Sequence, residues 1–282
     1  VELVTTPATM RAWSNAHHLA GRRLALVPTM GALHEGHLAL IDEARRHADV
    51  VVVSIFVNPL QFDRPDDFAG YPRPIDDDLA RCLTHAVDAV YAPVAATMYP
   101  VGFETHVEPG PLGDVLEGAH RPGHFRGVTT VVAKLFHAAL PHVAVFGEKD
   151  FQQLAIIRRM NDDLDMGIEI VGLPTVREPD GLALSSRNRR LSPAHRAAAG
   201  CVPRMLDTLV HLYRGGEVDT AVLAEAGWDV VRTEPLARLE HLVIVDARTL
   251  RAVTVADQHS VAVTAVWFDD IRLIDNRRLA AP

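Results

Sequence analysis

The sequence predicts an α/β protein: a doubly wound, Rossmann-like parallel sheet in an N-terminal domain, followed by a smaller α+β C-terminal lid domain. Three observations carry this expectation. Short apolar runs recur through the first part of the chain, segments with apolar residues at three- and four-residue steps separate them, and near Pro174 this rhythm gives way to helices and then to alternating strands. Strands buried on both faces read as unbroken apolar runs, and their alternation with helices implies parallel pairing through crossover helices.

The strand-like runs are Leu24–Val27, Val50–Val57, Ala89–Tyr91, Val143–Phe146 and Ile168–Val171. Between them, Leu38-Leu40-Ile41-Ala44, Leu79-Leu83-Ala86-Val87, Val128-Val131-Val132-Leu135 and Phe151-Leu154-Ile157 place apolar residues on one helical face. The stretch from Pro174 to Arg187, with Glu178-Pro179-Asp180-Gly181 inside it, reads as a junction between domains 1–175 and 176–282. Beyond it, Ser192-Pro193 is a helix start, a hydroxyl cap followed by proline in the first turn. One or two helices then run to about Val231, and His241–Asp246, Val261–Phe268 and Ile271–Ile274 read as antiparallel strands divided by polar turns.

Composition excludes several classes. With 282 residues and 48% hydrophobic composition the chain can bury a sizeable core, while its longest apolar stretch, Val50–Val57, is far short of a membrane span. A net charge of −8 argues against a broad nucleic-acid surface. Cys82 and Cys201 are the only cysteines, so no disulfide framework is expected; together with the absence of a signal-like N-terminus, this makes a reducing cytoplasm the expected setting. Of 28 basic residues only Lys134 and Lys149 are lysines. A chain that otherwise writes its cations as arginine invites a specific reason for each.

The most informative segment is Val27-Pro28-Thr29-Met30-Gly31-Ala32-Leu33-His34-Glu35-Gly36-His37-Leu38, which joins the first long strand to a helix through two glycines. Unpaired N–H groups and the positive dipole end of a first helical turn favour phosphate. Gly31 and Gly36 have P-loop spacing, but His37-Leu38 replaces the Lys-Ser/Thr pair, which excludes a Walker-type clamp. No His-Glu-x-x-His pattern is present to make a zinc helix. A histidine beside Leu33 or Leu38 can also simply pack; two of them at a glycine-flanked strand end favour a nucleotide site.

Other candidates lie where strands end. Asn58-Pro59-Leu60-Gln61-Phe62 follows the second long strand and offers amides to hydroxyl or carboxylate groups of a small substrate, or merely makes a turn. Asp76-Asp77-Asp78 opens a helix, where acidic residues suit the dipole and where three neighbouring carboxylates also suit magnesium. Gly147-Glu148-Lys149-Asp150 and Leu184-Ser185-Ser186-Arg187 can direct cations and N–H groups toward a triphosphate.

Five blocks in order make the pattern specific: Pro28–His37, Ile55–Phe62, Glu117-Gly118 with Arg121–Val128, Phe146–Gln153 and Asp180–Asn188. Together they resemble the pantothenate synthetase family of the nucleotidyl-transferase superfamily, over about residues 1–200. The resemblance implies ATP-dependent condensation of pantoate with β-alanine through pantoyl adenylate, releasing AMP and pyrophosphate. It implies that Met30, Gly31, Ala32, Leu33, His34, Glu35, Gly36 and His37 hold ATP, with His34 and His37 against the phosphates and His37 as proton donor. Gly147, Glu148, Lys149, Asp150, Val176, Leu184, Ser185, Ser186 and Arg187 complete the nucleotide site, with Lys149 catalytic. Gln61 and Gln153, with Asn58 nearby, hold the organic substrates. Asp77 and Asp78 are the implied Mg2+ residues, although Arg81 one turn on brings a cation there, and a homodimer is implied. The rival readings are an adenylyltransferase acting on a phosphate acceptor, a truncated aminoacyl-tRNA synthetase core, and a nucleotide sensor without catalysis.

Overall fold

The computed structural model describes residues 1–62 and 65–280. It divides into two compact units, Val1–Glu148 with Gln152–Pro174, and Lys149–Phe151 with the chain from Thr175 onward. The first stretch runs β1 (Glu2–Val4), α1 (Pro7–Leu19), β2 (Leu24–Thr29), α2 (Glu35–His47), β3 (Val50–Ile55), α3 (Pro65–Ala69), α4 (Ile75–Thr84), β4 (Ala89–Tyr91), α5 (Ala95–Met98), α6 (Glu117–His120), α7 (His124–Ala139), β5 (Val143–Gly147), α8 (Phe151–Asp163) and β6 (Glu169–Leu173). Its six strands are parallel in the order β1-β4-β3-β2-β5-β6. From β2 the chain winds through β3 to β4 on one side, and from β5 to β6 on the other. Strand order therefore reverses between β2 and β5, the crevice where sheets of this kind bind ligands.

Alternation of side chains along each strand separates two cores. Leu24, Leu26, Val52, Tyr91 and Phe146 pack with Met10 of α1 and Phe125, Val128, Leu135 and Phe136 of α7. Ala25, Val27, Val51, Val53 and Val145 pack on the other face with Leu40, Ile41 and Ala44 of α2 and Cys82 of α4. A sheet covered on both sides holds its strand ends rigidly, and the loops after β2, β3 and β5 inherit that precision.

In the second unit the expected one or two helices are three: α9 (Pro193–Ala198), α10 (Cys201–Arg214) and α11 (Thr220–Arg232). Ser192 caps α9, its Oγ accepting from the His195 N–H at 3.2 Å. The antiparallel sheet β7 (Arg238–Asp246), β8 (Ser260–Phe268) and β9 (Ile271–Arg278) packs its apolar face on Met205, Leu206 and Leu209 of α10 and Leu223 and Val231 of α11. Gly227 of α11 permits that contact, since a Cβ there would lie 2.5 Å from Leu242 Cδ2. Cys82 and Cys201 are buried free thiols, each pushed up to about 11 by desolvation, which leaves them unreactive. No helix among the described residues is long and apolar enough to cross a membrane.

Candidate active site

The loop leaving β2 is built around one buried carboxylate. Gly31 and Ala32 both adopt positive φ, +81° and +51°, and the resulting turn aims the Ala32 and Leu33 N–H groups at Asp78 Oδ2 and Oδ1, at 2.8 and 2.7 Å. A Cβ at Gly31 would lie 2.9 Å from the same carboxylate, so glycine is required there. His34 then caps α2 rather than lying within it. Its Nδ1 accepts from the Gly36 N–H at 3.2 Å, its own N–H donates to Nδ1 of His37 at 3.3 Å, and the two rings stack with centroids 4.1 Å apart. An imidazole nitrogen that accepts carries no proton, so each neutral ring is held as the Nε2–H tautomer. The cap thus fixes two imidazole donors side by side.

Two expectations are corrected here. The backbone does not form an open anion cradle: the N–H groups of Gly31, Ala32, Leu33, His34, Gly36 and His37 all donate to acceptors within the protein. Ala32 and Leu33 brace the loop through Asp78, so their amides are engaged within the protein. The magnesium pair also fails to converge. Asp78 is 2% exposed with both oxygens engaged, whereas Asp77 is exposed on the same helix, and neighbouring helical positions point roughly 100° apart. Nearby, exposed Glu35 stands 3.8 Å from Arg81.

After β3 a short 3-10 turn, Pro59–Gln61, carries the first substrate amide. Asn58 is 1% exposed and makes four hydrogen bonds, the full capacity of its side chain. Its Oδ1 accepts from Tyr99 Oη (2.7 Å) and the Leu60 N–H (3.3 Å), and its Nδ2 donates to Gly127 O (3.1 Å) and Gln61 Oε1 (3.0 Å). It therefore has nothing left for a substrate; it orients Gln61, whose Nε2 is turned to Met30 Sδ at 3.1 Å. The Arg121–Val128 block explains itself here. Arg121 Nη2 and His124 Nδ1 reach the Gln61 carbonyl at 3.0 and 2.8 Å, and Gly127 lets α7 approach so closely that a Cβ would sit 2.3 Å from Leu60 O. Sequence reading gave Tyr99 no role, and its partner Asn58 lies 41 residues away.

On α8 two neighbouring glutamines divide their work. Gln152 is 6% exposed and ties down the loop before α6, accepting from Glu117 N–H and donating to Leu112 O and Val115 O. Gln153, half-buried, makes no side-chain hydrogen bond among the described residues and keeps its amide open. Gly147, at the end of β5, has negative φ and open space where a Cβ would stand, so neither backbone nor packing demands glycine.

The second unit holds the cations. Lys149 lies in the 3-10 turn Glu148–Asp150 and lines a small cavity with Ser185, Arg187, Asn188 and Asp275. The segment 176–184 is a hairpin: Leu184 N–H donates to Val176 O, Glu178 N–H to Leu182 O, and Gly181 turns at φ +89°. Ser185 caps the following 3-10 turn through its Oγ, which accepts from Arg187 N–H at 3.2 Å. Neither Lys149 nor Arg187 has an ion-pair partner among the described residues, whereas Arg177 and Arg196 in the same unit are firmly paired, Arg177 with Asp275 and Arg196 with Glu178 and Asp180. Unpaired cations beside hydroxyls suit an anionic ligand.

The class these features suit is an α/β nucleotide-handling enzyme: the first unit has paired histidines after its first inner strand and amides suited to a hydroxy acid, and the second has cations without ion-pair partners among the described residues. The model of the pantoate-β-alanine ligase family matches residues 2–278. Pantothenate synthetase from Vibrio vulnificus strain YJ016 is 52% identical over 91% of this chain and 86% of its own length, and that from Vibrio parahaemolyticus is 50% identical over the same shares. Among solved structures, pantothenate synthetase from Thermus thermophilus superposes with a TM-score of 0.93 at 44% identity, covering both chains in full. Pantoate-β-alanine ligase from Francisella tularensis, complexed with β,γ-ATP and β-alanine, gives 0.81 at 30% identity over 100% of this chain and 99% of that one. The chain belongs to the pantoate-β-alanine ligase family.

Proposed function

We propose that this chain condenses pantoate with β-alanine to give pantothenate, converting ATP to AMP and pyrophosphate in two steps. In the first, a pantoate carboxylate oxygen attacks the α-phosphorus, and the bond from that phosphorus to the α,β-bridging oxygen breaks with its electron pair leaving on pyrophosphate. In the second, the free amine of β-alanine attacks the acyl carbon of the adenylate, the bond to the phosphate oxygen breaks, AMP leaves, and the nitrogen loses a proton to become the amide.

The observation that carries this reading is the capped histidine pair. Two imidazoles whose orientation the cap fixes before any ligand arrives can stabilise charge developing on phosphate with little reorganisation. His34 and His37 contact the phosphates, His37 donating a hydrogen bond from Nε2–H unless a second proton on its ring makes it an acid, and Met30 and Gly147 line the nucleotide. Gln61, presenting an N–H, binds an oxygen of pantoate, and the open amide of Gln153 a second. Lys149, Ser185, Ser186 and Arg187 meet the departing pyrophosphate, with Glu148, Asp150, Val176 and Leu184 framing the nucleotide, so the segment after Thr175 acts as a lid. Mg2+ belongs to the proposal through the exposed Asp77 alone, because Asp78 does not fit a cation. The homodimer and the cytoplasmic setting are proposed from the family resemblance and from two buried, unpaired thiols.

Labelled pyrophosphate should exchange into ATP with pantoate alone, while net AMP formation should require β-alanine as well. Release of ADP and phosphate would overturn the reading, since it means attack at the γ-phosphorus.

A further inference from the structure

Two consecutive polar residues of β9, Asp275 and Asn276, are 3% and 7% exposed. Successive strand residues point to opposite faces, so these two reach different neighbours. Asp275 takes the fork of Arg177 at 2.7 and 3.0 Å, and Arg177 also donates to Gly181 O, which ties β9 to the hairpin leading into Ser185–Arg187. Asn276 donates from Nδ2 to the main-chain carbonyl of Lys149 at 3.0 Å. Two residues on, and hence on the same strand face, Arg278 lies over the Phe151 ring at 5.8 Å. These contacts tie Lys149–Phe151 to the chain from Thr175 onward, the unit it belongs to.

We infer that Asn276 is a positioning residue for adenylation: by holding the Lys149 carbonyl it makes this lysine part of the same body as Ser185 and Arg187, so that all three reach the phosphates together. The inference rests on the reading of Lys149 as a phosphate-handling group. A lysine side chain has four rotatable bonds and takes its direction from its backbone. Loss of the Asn276 bond frees the peptide after Lys149 to rotate, and small misplacements of a charge-stabilising group are costly.

The test compares Asn276→Ala, Lys149→Ala and the double variant in full-length protein. Pyrophosphate exchange reports the first step, and conversion of supplied pantoyl adenylate with β-alanine reports the second. Asn276→Ala should slow the first step about 10- to 100-fold through kcat and leave the second within about twofold, and it should add almost nothing to Lys149→Ala. A merely structural role would slow both steps alike, or multiply independently with Lys149→Ala; either result overturns the inference. If Lys149→Ala itself leaves the first step unchanged, the phosphate role of Lys149 fails and the inference with it. Asn276→Asp, equal in size but with no N–H for the Lys149 carbonyl, should reproduce the alanine result, and wild-type exchange from a folded Asn276→Asp protein would also overturn it.

Discussion

The loop after β2 and the segments around Lys149 and Ser185–Arg187 are built on opposite plans. The first is closed upon itself: its six backbone N–H groups donate to the Asp78 carboxylate, the two imidazole Nδ1 atoms, the Thr29 hydroxyl and the His34 carbonyl. The second leaves Lys149 and Arg187 without ion-pair partners among the described residues and holds them from behind, through Asn276 and the Arg177–Asp275 pair. On the proposed function, the two plans would divide the electrostatics of the reaction between them. Donors in a fixed cap suit a phosphate whose place is known beforehand, while cations held only at their backbone suit charge that moves as a bond breaks.

The comparison is broken most directly by His37→Ala. Losing one donor to developing negative charge should slow adenylate formation by about two to three powers of ten. Because His37 Nδ1 also accepts the His34 N–H, the same change should lower stability by about 1 kcal/mol, as lost helix caps do. A single-turnover rate equal to the parent's, with a lowered melting temperature, would leave His37 with the cap alone.

Lys149 should behave differently, losing rate without losing stability. Lys149→Ala and Lys149→Arg should each raise the adenylation barrier by on the order of 3 kcal/mol, since a rigid guanidinium fork is larger and imposes its own geometry. Thermal melts should match the parent, because the ammonium makes no ion pair among the described residues. Near-normal single turnovers from Lys149→Arg would show that any cation serves and that the retained lysine is incidental.

What was legible in the sequence follows the same division. Inner strands, crossover helices and the histidine turn are local patterns, and the parallel sheet read from them is the one observed. What one residue does for another far along the chain was not legible. Ala32 and Leu33 look like phosphate ligands until Asp78, 46 and 45 residues on, takes their amides. Asn58 looks like a substrate amide until Tyr99 and Gly127, 41 and 69 residues on, consume it. The last strand shows the limit of apolar patterning: the reading stops at Ile274, yet β9 continues to Arg278, because Asp275 and Asn276 are buried through hydrogen bonds rather than hydrophobicity. Edge strand β1 buries only Val4 and so shows no apolar run, whereas β4, equally short, is buried throughout and was legible.

Asp78→Asn sharpens the account of the closed loop. An asparagine can accept one of the two backbone N–H groups, but its own NH2 then faces the other, and a buried donor left unsatisfied costs about 2 kcal/mol. Urea unfolding should show that loss, while the magnesium dependence of adenylation keeps the parent's midpoint. Unchanged stability with a shifted magnesium midpoint would restore Asp78 as a metal ligand and remove the brace.

The smallest effect belongs to Lys134, the other lysine. Sequence alone leaves it without purpose; the structure stands its Nζ over the Phe103 and Tyr99 rings, 5.1 and 5.8 Å from their centroids. Tyr99 in turn donates to Asn58, so the ammonium rests on the outer end of the network that orients Gln61. An arginine can occupy the same aromatic platform, and Lys134→Arg should therefore alter stability by less than about 0.5 kcal/mol. Lys134→Ala removes the cation and the packed stem, and should cost about 0.5–1 kcal/mol in unfolding free energy. Neither change should move the KM for ATP, because the aromatic platform stands two hydrogen bonds away from Gln61, through Tyr99 and Asn58. A rise in the KM for pantoate in Lys134→Arg as large as that in Lys134→Ala would mean the platform discriminates ammonium from guanidinium, and both lysines of the chain would then be irreplaceable for different physical reasons.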